Sequence, residues 1–211
     1  MAEDDKVILF GGLVRKHKGI NELVDLLGRL GDPKFKLLVI GSRDSPELRS
    51  LQGLKNDGSI ILLPPQPPAE MAKINFASDF VVLWLDPSAP VSHFQMPYKL
   101  TDAIAMGATV IGSPVSDLPS LENAGALWTV PFGDLNALAR KINGILDAPA
   151  EREARRAVAR RIFEREFSYG AAVANFALGA HRLNGERVTY DVSRRFAKAM
   201  TSFRASLANP Q

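Results

Sequence analysis

The chain has 211 residues, 46% of them apolar and 23% charged, the composition of a globule with room for one large or two small domains, which excludes disorder along its whole length. Its 26 Lys and Arg exceed its 23 Asp and Glu by a net charge of only +3, too slight a surplus to point to nucleic acid even with a calculated pI of 9.3. Zero cysteines exclude disulfides and thiolate chemistry, and His17, His93 and His181 form no His-x-x-x-His pair, so no metal site is expected.

In chain order, short apolar runs at 7–10, 37–40, 60–63, 80–85, 109–111 and 127–130 do not alternate polar with apolar residues. Strands of that kind are buried on both faces, as in a parallel sheet covered by helices. Between them stand helical patterns. Ile20, Leu23, Val24, Leu27 and Leu30 form one apolar stripe, and Leu135, Leu138, Ala139, Ile142, Ile145 and Leu146 form another. The expectation is α/β: a doubly wound, mostly parallel six-stranded sheet flanked by helices, with further helices at the C-terminus.

Within 95–114, the spacing predicts a short helix with Leu100, Ala103 and Ile104 on its buried face and Lys99 and Asp102 on the exposed one. Pro97 suits the first helical position, and Gly107 ends the element. A lysine in a first turn opposes the helix dipole; a bound anion would give it a reason, and an ordinary surface pair with Asp102 is the alternative.

After Pro149 the texture changes to EREARRAVARRIFERE at 151–166. It reads as a helix on the surface of the sheet domain with its Glu and Arg paired, or else as a surface for anionic lipid, a peripheral membrane contact. Two more helices are predicted, at 168–183 and about 191–207, separated by Asn184 and Gly185.

Ligands of open parallel sheets bind at the carboxyl ends of the strands. Four segments fall there. The first joins strand to helix through Gly11, Gly12 and Gly19, with Arg15, Lys16 and Lys18 among them. It matches neither Gly-x-Gly-x-x-Gly nor Gly-x-x-x-x-Gly-Lys-Ser/Thr, so its glycines are read as a tight turn and its cations as a candidate phosphate site. The others are Gly41 to Arg43, the stiff Pro64-Pro65-Gln66-Pro67-Pro68 loop, and the long loop at 86–96. No Asp-x-Asp and no Gly-x-Ser-x-Gly is present.

Taken together, the opening glycine and lysine loop, LVIG at 38–41, ASDFVVL at 77–83 with Pro87 and Ser88, PYKLTDAIAMGATVI at 97–111, VPFGD at 130–134 and Phe167-Ser168-Tyr169 resemble the C-terminal donor-binding half of retaining glycosyltransferases of the GT-B architecture. The resemblance runs from Val7 to Phe176 and implies a Rossmann-like domain at 1–185 that binds a nucleotide sugar, with 186–211 as the segment crossing to an N-terminal acceptor domain. It implies transfer of a hexose-like sugar from a nucleoside diphosphate sugar to an unidentified sugar or lipid-linked acceptor, with no metal or organic cofactor. The chain is expected to be inactive without the acceptor domain.

By the same resemblance, Lys18 and Asp102 carry the chemistry, Lys18 on the diphosphate and Asp102 on the ribose hydroxyls. Gly11, Gly12, Arg15 and Arg43 lie along the nucleotide, Pro65 lies beside the base, and Pro97, Tyr98 and Lys99 face the phosphate or sugar. The sequence departs from the pattern where Leu13 stands in place of an arginine, where Phe94 stands eight before Asp102 in place of a first acid, and where that second acid is itself aspartate. A non-catalytic interaction module that kept the fold without the donor chemistry is the competing reading. The acidic N-terminus and the lack of a long apolar run lead to a cytoplasmic location as the expectation.

Overall fold

The computed structural model describes residues 2–41, 49, 51, 58–94 and 96–183. Six strands form one sheet: β1 (Lys6–Gly11), β2 (Phe35–Ile40), β3 (Ile60–Leu63), β4 (Phe80–Leu83), β5 (Val110–Gly112) and β6 (Trp128–Thr129). Their order is β3-β2-β1-β4-β5-β6 and every pairing is parallel. Leu9 of β1 lies between Leu38 of β2 and Val81 of β4. The α/β, doubly wound expectation is therefore met, and each apolar run contributes its strand.

The helices are α1 (Ile20–Leu30), α2 (Pro68–Ala77), α3 (Val91–Phe94), α4 (Tyr98–Ala105), α5 (Leu118–Asn123), α6 (Leu135–Leu146), α7 (Pro149–Ile162) and α8 (Tyr169–Leu183). On one face of the sheet α1 and α6 pack together, burying Leu23, Leu26, Leu138 and Ile142 against Ile8, Phe10, Val39 and Val82. Arg29 Nη1 ties the two helices by donating to Asn136 Oδ1 at 2.7 Å. The stripe of α1 is rotated from its expected position: Leu26 is fully buried, while Val24 and Leu27 pack at the margin. Asp134 starts α6 by accepting from the Ala137 N–H at 2.8 Å, a cap that satisfies one of the helix's orphan donors. On the other face α2 and α4 pack together.

The arginine-rich helix lies against the sheet domain with Glu and Arg paired on its surface, as expected, but several of its arginines also bond the sheet domain itself. Arg152 donates to Thr109 Oγ1 and to the Asp79 carbonyl, both at 2.8 Å, and its guanidinium stands over the Phe80 ring. Arg155 donates to the Leu127 carbonyl at 2.7 Å and stacks over Trp128, and Arg156 bonds the Gly107 carbonyl. Asp79, Thr109 and Leu127 all stand just before strands, so these three cations fasten α7 to the amino ends of β4, β5 and β6. Glu151 with Arg155 and Glu153 with Arg156 make the expected helix-surface pairs. Three of the arginines considered for a membrane surface are thereby engaged with the sheet.

The chain divides into two compact units, 1–161 and 162–211. In the second, the Phe163–Phe167 turn is wound as a π-helix, closed by the Ser168 N–H to the Phe163 carbonyl at 2.8 Å. Ser168 then opens α8, its Oγ accepting from the Ala171 N–H. The expected helix at 191–207 and the boundary at 185/186 lie outside the described residues. No helix among the described residues is long and apolar enough to cross a membrane.

Candidate functional site

The strand order reverses between β1 and β4, and the crevice at their carboxyl ends is where an open parallel sheet takes ligands. A cleft of about 300 Å³ lies there. Its floor is Leu9, Gly11 and Gly12 from β1 and its following turn, with Val81 and Leu85 from β4 and beyond; Met71 and Asn75 of α2, Val91 and Ser92 of α3, and the opening of α4 form its walls. His17 and Lys18 reach it from the 3-10 turn Lys16–Lys18.

Two glycines shape this loop. Gly12 takes φ 104°, in the region that favours glycine, and its N–H donates to the Ile40 carbonyl at 2.7 Å, turning the chain sharply off β1. Gly19 takes φ 60°, and a Cβ there would run into the Trp84 ring and lie 2.9 Å from the Trp84 carbonyl. The turn that carries His17 and Lys18 is thus pressed against the end of β4, and the His17 carbonyl accepts from the Asp86 N–H at 2.9 Å.

The helix α4 begins one residue later than its sequence indicates: Pro97 is the N-cap, with extended backbone, and Tyr98 is the first helical residue. Leu100, Ala103 and Ile104 are buried as expected, and Gly107 ends the turn with φ 67°. Lys99 is the correction. Its backbone position is on the expected face, but its Nζ is buried, stands 4.6 Å from the centroid of the Phe10 ring and has no hydrogen-bond partner. Burial, with the charge of Lys18 added, pushes its ammonium down to about 7. Lys18 is lowered too, by burial first and then by Arg15. His17 is lowered by burial and by the Lys18 and Arg15 charges. Asp102 is exposed at the mouth, and the partial loss of water there raises its carboxyl.

Among the residues expected from sequence, Lys18, Asp102, Gly11, Gly12, Pro97, Tyr98 and Lys99 meet on this one cleft. Arg15 is not part of its lining but sends its charge to Lys18 and His17. Pro65 is not on the lining either; its loop reaches an adjoining hollow through Gln66 and Pro68, which Asp102 and Asn75 share. Arg43 lies outside the described residues. Sequence reasoning missed His17, Asn75 and Ser92. His17 was weighed only as a metal ligand, and nothing in the local pattern marks Asn75 or Ser92, which are 2% and 3% exposed. Among the described residues no group of three His, Asp or Glu is placed to hold a metal ion.

Two lysines and a histidine thus converge on a cleft whose lining carries a single carboxylate. Such an arrangement accepts an anion. Residues 4–148 match the family model described as glycosyl transferases group 1. No curated protein matches the sequence. Among solved structures, Anabaena HepE in complex with UDP-glucose is 15% identical, with a TM-score of 0.67 over 94% of this chain and 49% of its own. Sucrose-phosphate synthase from Thermosynechococcus elongatus is 22% identical, with a TM-score of 0.71 over 88% of this chain and 47% of its own. The C-terminal domain of LpcC, a group 1 family glycosyl transferase from Francisella tularensis, is 18% identical, with a TM-score of 0.63 over 78% of this chain and 87% of its own. The chain spans about half the length of HepE and of the synthase.

Proposed function

The chain belongs to the glycosyl transferases group 1 family, and we propose that it is the nucleotide-sugar-binding half of a retaining, metal-independent glycosyltransferase with the GT-B architecture. The observation that carries this reading is the pair of lysines, Lys18 and Lys99, brought by two separate elements to the carboxyl ends of β1 and β4. In this reading the diphosphate lies over Gly12 and between the two ammonium groups. As the sugar departs, charge grows on the diphosphate oxygens, and fixed cations in a partly dehydrated cleft stabilise that charge more than they stabilise the ground state.

Asp102 at the mouth accepts hydrogen bonds from the ribose hydroxyls, and the hollow beside Gln66 and Pro68 receives the base. Neighbours of this fold hold UDP and UDP-glucose, which supports a nucleoside diphosphate sugar as donor. In such enzymes the acceptor is held by the second domain and the reaction takes place in the cleft between the two, so the chain alone binds donor and transfers little. Phe94, exposed at the end of α3, offers no carboxylate to the sugar hydroxyls.

Calorimetric titration with UDP, GDP and ADP, with and without EDTA, tests the reading. One nucleotide is expected to bind, equally well with EDTA, and Lys18→Ala and Asp102→Ala are each expected to weaken it tenfold or more. A folded chain that binds none of the three would favour the interaction module instead.

A further inference from the structure

Three buried polar side-chain atoms are without a hydrogen-bond partner among the described residues: Trp84 Nε1, Ser92 Oγ and Lys99 Nζ. The Trp84 ring belongs to the core, 5.5 Å from Phe132. The other two line the cleft, one from α3 and one from α4. Leaving an amine unpaired out of water is costly in its charged form and far less so in its neutral form. The surroundings of Lys99 do little to change that balance. The Phe10 ring beneath it offers a π face but no lone pair.

The charged and titratable groups around Lys99 come from every side of the cleft. Lys18 and His17 arrive from the turn after β1 and Asp102 from α4 itself, while Arg15 and Asp86 act one step removed, on His17. The lining side chains of α2 are uncharged. Lys18 opposes a proton on Lys99, and Asp102 stands apart at the exposed mouth. An entering phosphate that draws Nζ toward the cleft changes the sign of this environment, because it brings acceptor oxygens and negative charge to an amine that has no partner of its own.

We propose that Lys99, whose Nζ lies buried over Phe10 without a partner at the edge of the cleft, rests as a neutral amine in the ligand-free protein and takes a proton from the solvent as the diphosphate enters, so that donor binding consumes one proton at this residue. The inference rests on the donor-site reading above. It makes Lys99 the group through which the site senses charge: a ligand without the phosphates gains nothing from the proton, so discrimination against a bare nucleoside is built into α4. Ser92, the second unpartnered group, gives an incoming oxygen a neutral donor on the same cleft.

Isothermal titration with UDP-glucose, GDP-mannose and ADP-glucose, whose phosphates do not ionise near neutral pH, reads the proton directly when the same titration is run in buffers of different ionisation enthalpy. With Lys99 at about 7, uptake of about 0.9 proton is expected at pH 8 and about 0.1 at pH 6, and affinity is expected to fall about tenfold from pH 8 to pH 9. Lys99→Arg, whose head group keeps its charge, is expected to bind with no uptake, whereas His17→Gln is expected to keep it. As a second measurement, the Lys99 side-chain NMR signal is expected to titrate near neutral pH in the free protein and to stop doing so when saturated with nucleotide sugar. Binding with heats independent of buffer at pH 8, or uptake lost in His17→Gln and kept in Lys99→Arg, would overturn the inference and leave the donor-site reading standing. Failure of all three nucleotide sugars to bind a folded sample would overturn both.

Discussion

Lys99→Met keeps most of the side chain's length while removing its charge, and the structure fixes both the sign and the size of the effect on stability. In the unfolded chain this lysine holds its proton up to its ordinary value of 10.5; in the folded chain burial brings that down to about 7. At about 1.4 kcal/mol for each pH unit of that gap, carrying the proton into the fold costs at most about 5 kcal/mol. Relaxation of the site and the lost contact with Phe10 reduce what the variant recovers, so a gain of about 2 kcal/mol or more at pH 6 is expected.

The unfolded state binds the extra proton between pH 7 and 10.5, so the wild type gains stability as pH rises through that window, and Lys99→Met does not. The protonation penalty is therefore fully present below pH 7 and falls to about a third by pH 9.5, so the advantage of the variant shrinks by about 3 kcal/mol between pH 6 and pH 9.5. Urea denaturation followed by the near-ultraviolet signal of Trp84 and Trp128, both in the first unit, measures it at the two pH values. A variant less stable than wild type at pH 6, or one whose advantage is the same at pH 6 and 9.5, would refute the reasoning. A lysine whose removal stabilises the fold and abolishes nucleotide binding is a lysine kept for its ligand.

Gly19→Ala forces a side chain into left-handed backbone and into the Trp84 ring, so a loss of about 2 kcal/mol or more is expected in the same denaturation assay. Arg152→Ala leaves the Thr109 hydroxyl and Asp79 without their partner and is expected to cost about 2 kcal/mol; Arg152→Lys, unable to reproduce both bonds, is expected to recover less than half of it. Asp134→Ala removes the cap of α6 and is expected to cost about 1 kcal/mol, with Asp134→Ser restoring most of it.

The sheet could be read from sequence because both faces of it are buried: runs such as Ile8, Leu9 and Phe10 leave no polar position to obscure the strand. The α1 stripe was legible only to within one position, since six of its eleven residues are Ile, Leu or Val and the packing against α6, which no local pattern encodes, decides that Leu26 faces inward. The helix at 149–162 was legible as a helix, but its arginines were not legible as anchors. Each of them finds a carbonyl or hydroxyl at the amino end of a strand some 28 to 73 residues away in sequence. Lys18 and Lys99 could be picked out because a cation among glycines and a lysine in a first turn are locally odd, whereas Asp102 was singled out as a site residue only through the family resemblance. The burial of the Lys99 head group was nevertheless not legible, because its long stem lets Nζ reach over Phe10 from a residue that starts on the expected face. Ser92 and Asn75 are ordinary polar residues whose burial is visible only once the cleft is assembled.

The central claim is that this cleft holds the diphosphate of a nucleotide sugar between two lysines. A crystal structure of the chain soaked with the nucleotide sugar that binds tests it most directly. The account expects phosphate oxygens within hydrogen-bond distance, about 2.7–3.2 Å, of both Lys18 Nζ and Lys99 Nζ, with the ribose at Asp102. A nucleotide seated elsewhere on the sheet, or one whose phosphates leave Lys99 Nζ still over Phe10 and unpaired, would contradict it.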